Sequence, residues 1–192
     1  DHFWEKNEVQ ALTGRTAVRL DLADRYVELD GGDRVNFEKL LLATGGKPFI
    51  PRIEGADKEG VFTFTTFSDA ERLATRIESA KRAVVIGAGL IGVSVAEALA
   101  KRGLEVTMVE FKDKILSLIL DQTASEVVEN AIRKAGVTIV TSQTVRRILG
   151  KPEDDSVVGG AVLTNGDQVS CDLVIIAIGV VPRMELVAGT DV

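Results

Sequence analysis

The chain has 192 residues, 45% of them apolar and 27% charged, with a net charge of −6, which fits one large or two small globular domains. The acidic balance argues against a nucleic-acid partner, whose phosphates require a basic patch. One cysteine and one histidine exclude a disulfide framework, argue against a protein metal site and suit a reducing cytoplasm, and the longest apolar run, residues 173–181, is too short to span a bilayer.

The chain begins at Asp1 and its first methionine is Met108, as expected of an excised or processed piece. Residues 26–37, "YVELDGGDRVNF", read as a hairpin with Val27, Leu29, Val35 and Phe37 on one face. The apolar run "LLLA", 40–43, then predicts a strand buried on both faces, ended by glycines and Pro48. Residues 68–80 predict a helix opened by a capping box from Ser68 to Glu71, with Ala70, Leu73, Ala74 and Ile77 facing inward. Residues 83–92, "AVVIGAGLIG", read as a buried strand running into a glycine-rich turn. The following helix, 90–102, places Ile91, Val95, Ala98 and Leu99 inward and Ser94, Glu97 and Lys101 on another face. A second strand covers 104–110. A helix over 121–135 turns Ala124, Val127, Val128, Ala131 and Ala135 to the core and stops at Gly136, and a third strand covers 137–142. The acidic 152–155 reads as an exposed turn, 161–171 as a second hairpin around Asn165 and Gly166, and 173–178 as a last buried strand. Alternating strands and helices define an α/β fold, a Rossmann-like parallel sheet with a β-meander.

The chain contains one phrase twice. "GDRVNFEKLLLATGGKP", residues 32–48, returns as "GDQVSCDLVIIAIGVVP", residues 166–182, at a constant offset of 134. Each copy is a hairpin feeding one strand. Cys171 corresponds to Phe37, an apolar position before the strand, so it reads as a small buried hydrophobe rather than a nucleophile. Glu38 and Asp172 read as anchors for the strand starts.

Between the copies lies a G-x-G-x-x-G turn, Gly87-Ala88-Gly89-Leu90-Ile91-Gly92, between strand and helix, with Glu110 at the end of the next strand. Gly87 permits the tight turn, Gly89 lets backbone amides approach a pyrophosphate, and Gly92 allows close helix–strand packing. The helix N-terminus favours the phosphate charge. Glu110 accepts ribose hydroxyls and repels a 2′-phosphate, so NAD(H) is expected over NADP(H), with Lys112 two residues on as the feature that keeps NADP(H) open.

On "LLLATGGKP" (40–48), "VVIGAGLIGVSVAEALAKRGLEVTMVE" (84–110), "LDQTASEVVENAIRKAGVTIV" (120–140) and "GDQVSCDLVIIAIGVVP" (166–182), the chain resembles the pyridine nucleotide–disulfide oxidoreductases. The likeness is to their NADH oxidase, rubredoxin or ferredoxin reductase and nitrite-reductase-like branch. The resemblance implies two nucleotide domains, one for FAD and one for NAD(P)H, each ending in the same meander and strand. Residues 1–52 are then part of an FAD domain, 53–180 the NAD(H) domain and 181–192 a return segment. It implies that Ile178 and Gly179 lie beside NAD, and that Ala43, Thr44 and Gly45 lie on the FAD side. The glycine turn precedes Gly179 by 92 residues; the same spacing from Gly45 puts an FAD loop before Asp1. FAD is thus expected in a longer parent and absent from this piece. A further implied feature is a glutamate two residues after the third glycine, where this chain has Ser94.

The expected activity of the parent is hydride transfer from NADH to FAD and on to an acceptor, either a small molecule or a redox protein. No catalytic acid, base or nucleophile is assigned. The parent is expected to dimerise through a C-terminal domain outside the chain. The competing expectation is an NADH-responsive interaction module of the apoptosis-inducing-factor type, distinguished by slow turnover and NADH-dependent assembly.

Overall fold

The computed structural model describes residues 2–190. They form two compact units: one runs to Gly46 and resumes at Pro182, and the other is Lys47–Val181.

The first unit holds a short helix α1 (Phe3–Lys6) and an antiparallel meander of β1 (Ala17–Asp21), β2 (Tyr26–Leu29) and β3 (Arg34–Asn36). The expected apolar face is only partly realised, with Val27, Leu29 and Phe37 half-buried and Val35 exposed. Tyr26, on the opposite face, is buried, with the Arg34 guanidinium 4.4 Å above its ring. The strand expected over 40–43 is absent; those residues are irregular, and Leu41 is 87% exposed. The reason is hydrogen bonding: among the described residues, no strand of this unit lies alongside to complete a ladder. The next segment, β4 (Gly46–Pro48), instead pairs in a two-stranded ribbon with the last strand, β13 (Val180–Pro182).

The second unit has three layers. Its chain runs β5 (Val61–Thr63), α2 (Phe67–Ile77), β6 (Arg82–Ile86), α3 (Leu90–Ala100), β7 (Glu105–Val109), α4 (Gln122–Lys134) and β8 (Val137–Val140). A second meander, β9 (Val145–Gly150), β10 (Val158–Leu163) and β11 (Gln168–Ser170), precedes β12 (Leu173–Ile176). The central sheet is parallel, in the order β5-β12-β6-β7-β8. Alternation divides its side chains between two cores. Val85, Val106, Met108, Ile139, Leu173 and Ile175 pack with the helices. Val84, Ile86, Val109, Val174 and Ile176 pack with the meander residues Val145, Ile148, Ala161 and Cys171. Burial on both faces explains the continuous apolar runs of these strands. Each such Val, Leu or Ile contributes about 1.5–3 kcal/mol.

The helices depart from the sequence pattern in detail. The capping box of α2 uses Thr66 and Asp69 instead of Ser68 and Glu71, because Asp69 is the carboxylate that folds back onto the Thr66 amide. Leu73 is buried while Ala74 is exposed. In α3, Val95, Ala96 and Leu99 are buried with Gly92; Ile91, in the first turn beyond the sheet, is exposed. In α4 the inward face is rotated onto Ser125 and Ile132, with Ala124 and Val128 half-buried, leaving Val127, Ala131 and Ala135 exposed. The Ser125 hydroxyl donates to the Ile115 carbonyl at 2.8 Å in the core, which sets that rotation. Among the described residues no helix is long and apolar enough to cross a membrane.

Candidate nucleotide site

In the parallel sheet the chain moves from β6 outward through β7 and β8, then returns to the other side of β6 as β12. Loops leaving the carboxyl ends of β6 and β12 therefore diverge and leave a crevice, the usual ligand position in open α/β sheets. The glycine turn occupies that edge. The Gly87 amide donates to the Val109 carbonyl at 2.8 Å, and the Ala177 amide to the Ile86 carbonyl at 2.8 Å, so the ends of β6, β7 and β12 are stitched together.

The three glycines have different physical duties. Gly87 has φ +99°, and a Cβ there would lie 2.6 Å from the Ala177 oxygen and 2.9 Å from Ile178 Cγ2. A Cβ on Gly92 would collide with the Gly87 carbonyl oxygen, so α3 packs directly on the turn. Gly89, the N-cap of α3, has an ordinary φ of −75°, and a Cβ there would meet nothing within 4 Å. Two glycines are required by the protein itself. The middle one is not.

Glu110 closes the turn from the other side. One carboxylate oxygen accepts the Ala88 amide at 2.6 Å and the other the Lys112 amide at 2.8 Å. The Ala88 carbonyl accepts the Leu116 amide at 2.8 Å, so both backbone groups of this fully buried alanine are committed to the protein. A carboxylate has about four acceptor positions, which leaves Glu110 capacity for ribose hydroxyls. The amides of Leu90 and Ile91 lie in the first turn of α3, where no intrahelical acceptor exists, and the positive end of the helix dipole lies there. Leu90 and Ile91 have exposed side chains, Ile178 is 37% exposed, and Gly179 has φ +112° with open space at its Cβ position.

Beside the α3 N-terminus, on the side away from Glu110, lies an open groove of about 360 Å³ between Phe64, Thr65 and Thr66 and the residues Leu90, Ile91 and Ser94. The Ser94 hydroxyl donates to the Leu90 carbonyl at 2.8 Å. Behind the threonines, one Asp69 oxygen accepts the Thr65 and Thr66 amides at 3.0 and 3.1 Å, and the other accepts Arg72 at 2.8 Å. Burial opposes the charge of Asp69, but these donors outweigh it and hold its pKa far below the usual carboxylate range. The pattern of periodicity did not single out these residues. A usable signal was the threonine-rich "TFTTFSD", 63–69, at the end of a short strand and the start of a helix.

Elsewhere, Cys171 is fully buried, and desolvation pushes its thiol up to about 12, consistent with a structural thiol. Asp172 accepts the Lys81 and Arg82 amides at 2.9 Å each and anchors the start of β6, while Glu38 is exposed. In the first unit, Thr44 donates to the Arg183 carbonyl and Arg183 to the Gly45 carbonyl; Ala43, Thr44 and Gly45 line a groove of about 240 Å³ with Arg183 and Met184. Among the described residues no group of three or more His, Cys, Asp or Glu could hold a metal ion.

A dinucleotide-type turn in a three-layer α/β unit whose third layer is a meander defines a class, and the comparisons place the chain in it. Residues 4–192 match the pyridine nucleotide-disulphide oxidoreductase family, and the chain belongs to that family. It is 40% identical over 195 residues to the NADH-dependent phenylglyoxylate dehydrogenase subunit epsilon of Aromatoleum evansii, covering 100% of this chain and 45% of the relative. It is 36% identical over 192 residues to an NADH oxidase of Methanocaldococcus jannaschii, covering 97% and 42%. A crystal structure of a ferredoxin reductase from Rhodopseudomonas palustris superposes with a TM-score of 0.91 at 27% identity, over 98% of this chain and 46% of the other. The chain thus spans less than half the length of these relatives.

Proposed function

We propose that the second unit binds NADH across the carboxyl ends of β6, β7 and β12, as the donor site of an FAD-dependent oxidoreductase. The carrying observation is the contrast among the glycines. Gly87 and Gly92 are glycine because protein backbone fills the space, whereas Gly89 is glycine where only solvent adjoins it. A ligand that approaches the backbone there supplies the missing reason, and the dipole of α3 makes that ligand anionic. In this reading the pyrophosphate rests on the amides of Gly89 through Ile91, and Glu110 receives the adenine-side ribose and disfavours a 2′-phosphate. The nicotinamide half lies toward Ile178, Gly179 and the Ser94 groove. Two curated relatives are themselves named for NADH, which supports the choice of dinucleotide.

Bound FAD would supply the redox chemistry of the complete protein, accepting a hydride from NADH for delivery to an acceptor that would be a small molecule or a redox protein. This chain's residues bind and orient the donor; none of them moves a proton in the reaction. Ala43, Thr44 and Gly45 flank FAD in the longer protein, which we take to be a cytoplasmic homodimer. This chain carries a single G-x-G-x-x-G, so by itself it should purify colourless and leave NADH unoxidised. A stoichiometric flavin spectrum would refute that expectation.

Titration calorimetry tests the reading. The chain should bind NADH more tightly than NADPH. Gly89→Ala, unstrained at its φ, should weaken NADH about tenfold or more while costing at most about 1 kcal/mol of stability for alanine at an N-cap, because the new Cβ stands where the phosphates approach. Absence of NADH binding by the unsubstituted chain would end the proposal.

A further inference from the structure

The groove beside the α3 N-terminus has a composition that discriminates between the two oxidation states of its ligand. Reduced and oxidised dinucleotides share the adenosine and pyrophosphate, and differ in the ring, which is neutral when reduced and a pyridinium cation when oxidised. The groove presents apolar surface from Phe64, Leu90 and Ile91, with Thr65, Thr66 and Ser94 as its polar residues; no carboxylate lines it. The Ser94 hydroxyl is turned back onto the Leu90 carbonyl at 2.8 Å. Asp69, in the first turn of the adjoining helix α2, is 6% exposed, and its oxygens are taken by Thr65, Thr66 and Arg72. Arg72 balances its charge, so little of it is left to attract a cation in the groove. The N-terminal end of α3 adds positive potential on the other side. A neutral ring enters such a site at little electrostatic cost, whereas a cation meets the positive helix end with no counter-charge in the groove.

We propose that this groove, through Ser94 and its apolar walls, selects the neutral dihydronicotinamide of NADH over the pyridinium of NAD⁺, making Ser94 a determinant of redox-state specificity. The proposal rests on the assignment of the nicotinamide half to this groove. Its consequence is directional: the oxidised product is held weakly and leaves readily, so accumulated NAD⁺ inhibits little.

The test measures affinities, with three probes titrated calorimetrically into the chain: NADH, NAD⁺ and ADP-ribose, which lacks the ring. NADH should bind about tenfold or more tightly than NAD⁺, a ratio on the scale of one poorly compensated charge. NAD⁺ should bind no better than ADP-ribose. Ser94→Glu should tighten NAD⁺ selectively, collapsing the ratio toward unity, with ADP-ribose binding showing that the fold and pyrophosphate site persist. Ser94→Gln, of similar size without the charge, should leave the ratio high. Equal binding of NADH and NAD⁺ by the unsubstituted chain, both above ADP-ribose, would overturn the selectivity, as would an equal effect of Glu and Gln. If neither NADH nor ADP-ribose binds, the nucleotide-site assignment itself falls, and this inference with it.

Discussion

The two copies of the repeated phrase close their turns with the same hydrogen bonds, although Gly31 is at positive φ and its counterpart Asn165 is not, and they differ in almost everything those turns lead to. In the first copy the Leu29 amide donates to the Asp33 carbonyl at 2.8 Å and Gly32 has φ +89°; in the second, Leu163 donates to Asp167 at 2.9 Å and Gly166 has φ +95°. The positions that follow then part company. Leu41 is 87% exposed in irregular chain, whereas its counterpart Ile175 is wholly buried in β12 between β5 and β6. Phe37 is half-buried and Cys171 fully so; Glu38 is exposed and Asp172 holds two amides. A tight turn is complete within a few residues. A buried parallel strand exists only when neighbours on both edges and layers on both faces are present.

The largest expected contrast is in the strand. Ile175→Ala should cost about 4 kcal/mol of unfolding free energy, because the cavity lies in a packed core, whereas Leu41→Ala should stay within roughly 0.5 kcal/mol. Urea denaturation of the two variants measures both, and equal losses would mean that the run at 40–43 is buried in solution.

Cys171 offers a contrast nearly as large, in alkali. Its folded-state pKa is raised, from an ordinary 9.0 to about 12, chiefly by desolvation. The unfolded thiol therefore ionises first, so stability present below pH 9.0 should fall progressively as the pH rises toward about 12. Cys171→Ala should lessen that fall. At neutral pH the native thiol should react slowly with thiol reagents and quickly once unfolded, and modification at the rate of a free thiol would contradict the burial.

A middling effect is expected at the strand starts. Asp172→Asn should lose about 2 kcal/mol, since the paired amides of Lys81 and Arg82 give up a charged acceptor, while Glu38→Gln should change little. Partial burial opposes the Asp172 charge, but the two amides and the Arg82 charge outweigh it and depress its pKa below 3.8. That contribution is thus present above the unfolded value and lost as pH falls through the folded one, a loss the Asn variant should not show.

The smallest effect should be the same in both copies. Gly32→Ala and Gly166→Ala each place a Cβ in open space but at positive φ, so each should cost about 1 kcal/mol. Thermal denaturation showing unequal costs would break the equivalence of the turns.

What the sequence determined by itself is what short-range chemistry controls. The glycine turn, the hairpin turns, the strands β6, β7, β8 and β12, and the helical periods of α2, α3 and α4 are all legible in runs of a dozen residues or fewer. Gly87, Glu110, Ile178 and Gly179 could be placed at strand ends because strand ends are marked by glycine and charge. What the sequence left open depended on partners distant along the chain. The short strand β5 forms only because β12, more than a hundred residues later, lies beside it, and the arginine-bearing β9 is strand only because β10 pairs with it. Helix faces were legible as periods but not as rotations: in α4 the carbonyl of Ile115 captures Ser125 and turns Val127 out to solvent. The threonines of 63–69 marked one wall of the groove of Phe64, Thr66 and Ser94, but not its meeting with the start of α3, which only the fold brings about. Local propensity wrote "LLLA" and "LVII" alike as strands; only the presence or absence of a hydrogen-bonded neighbour decided which of them became one.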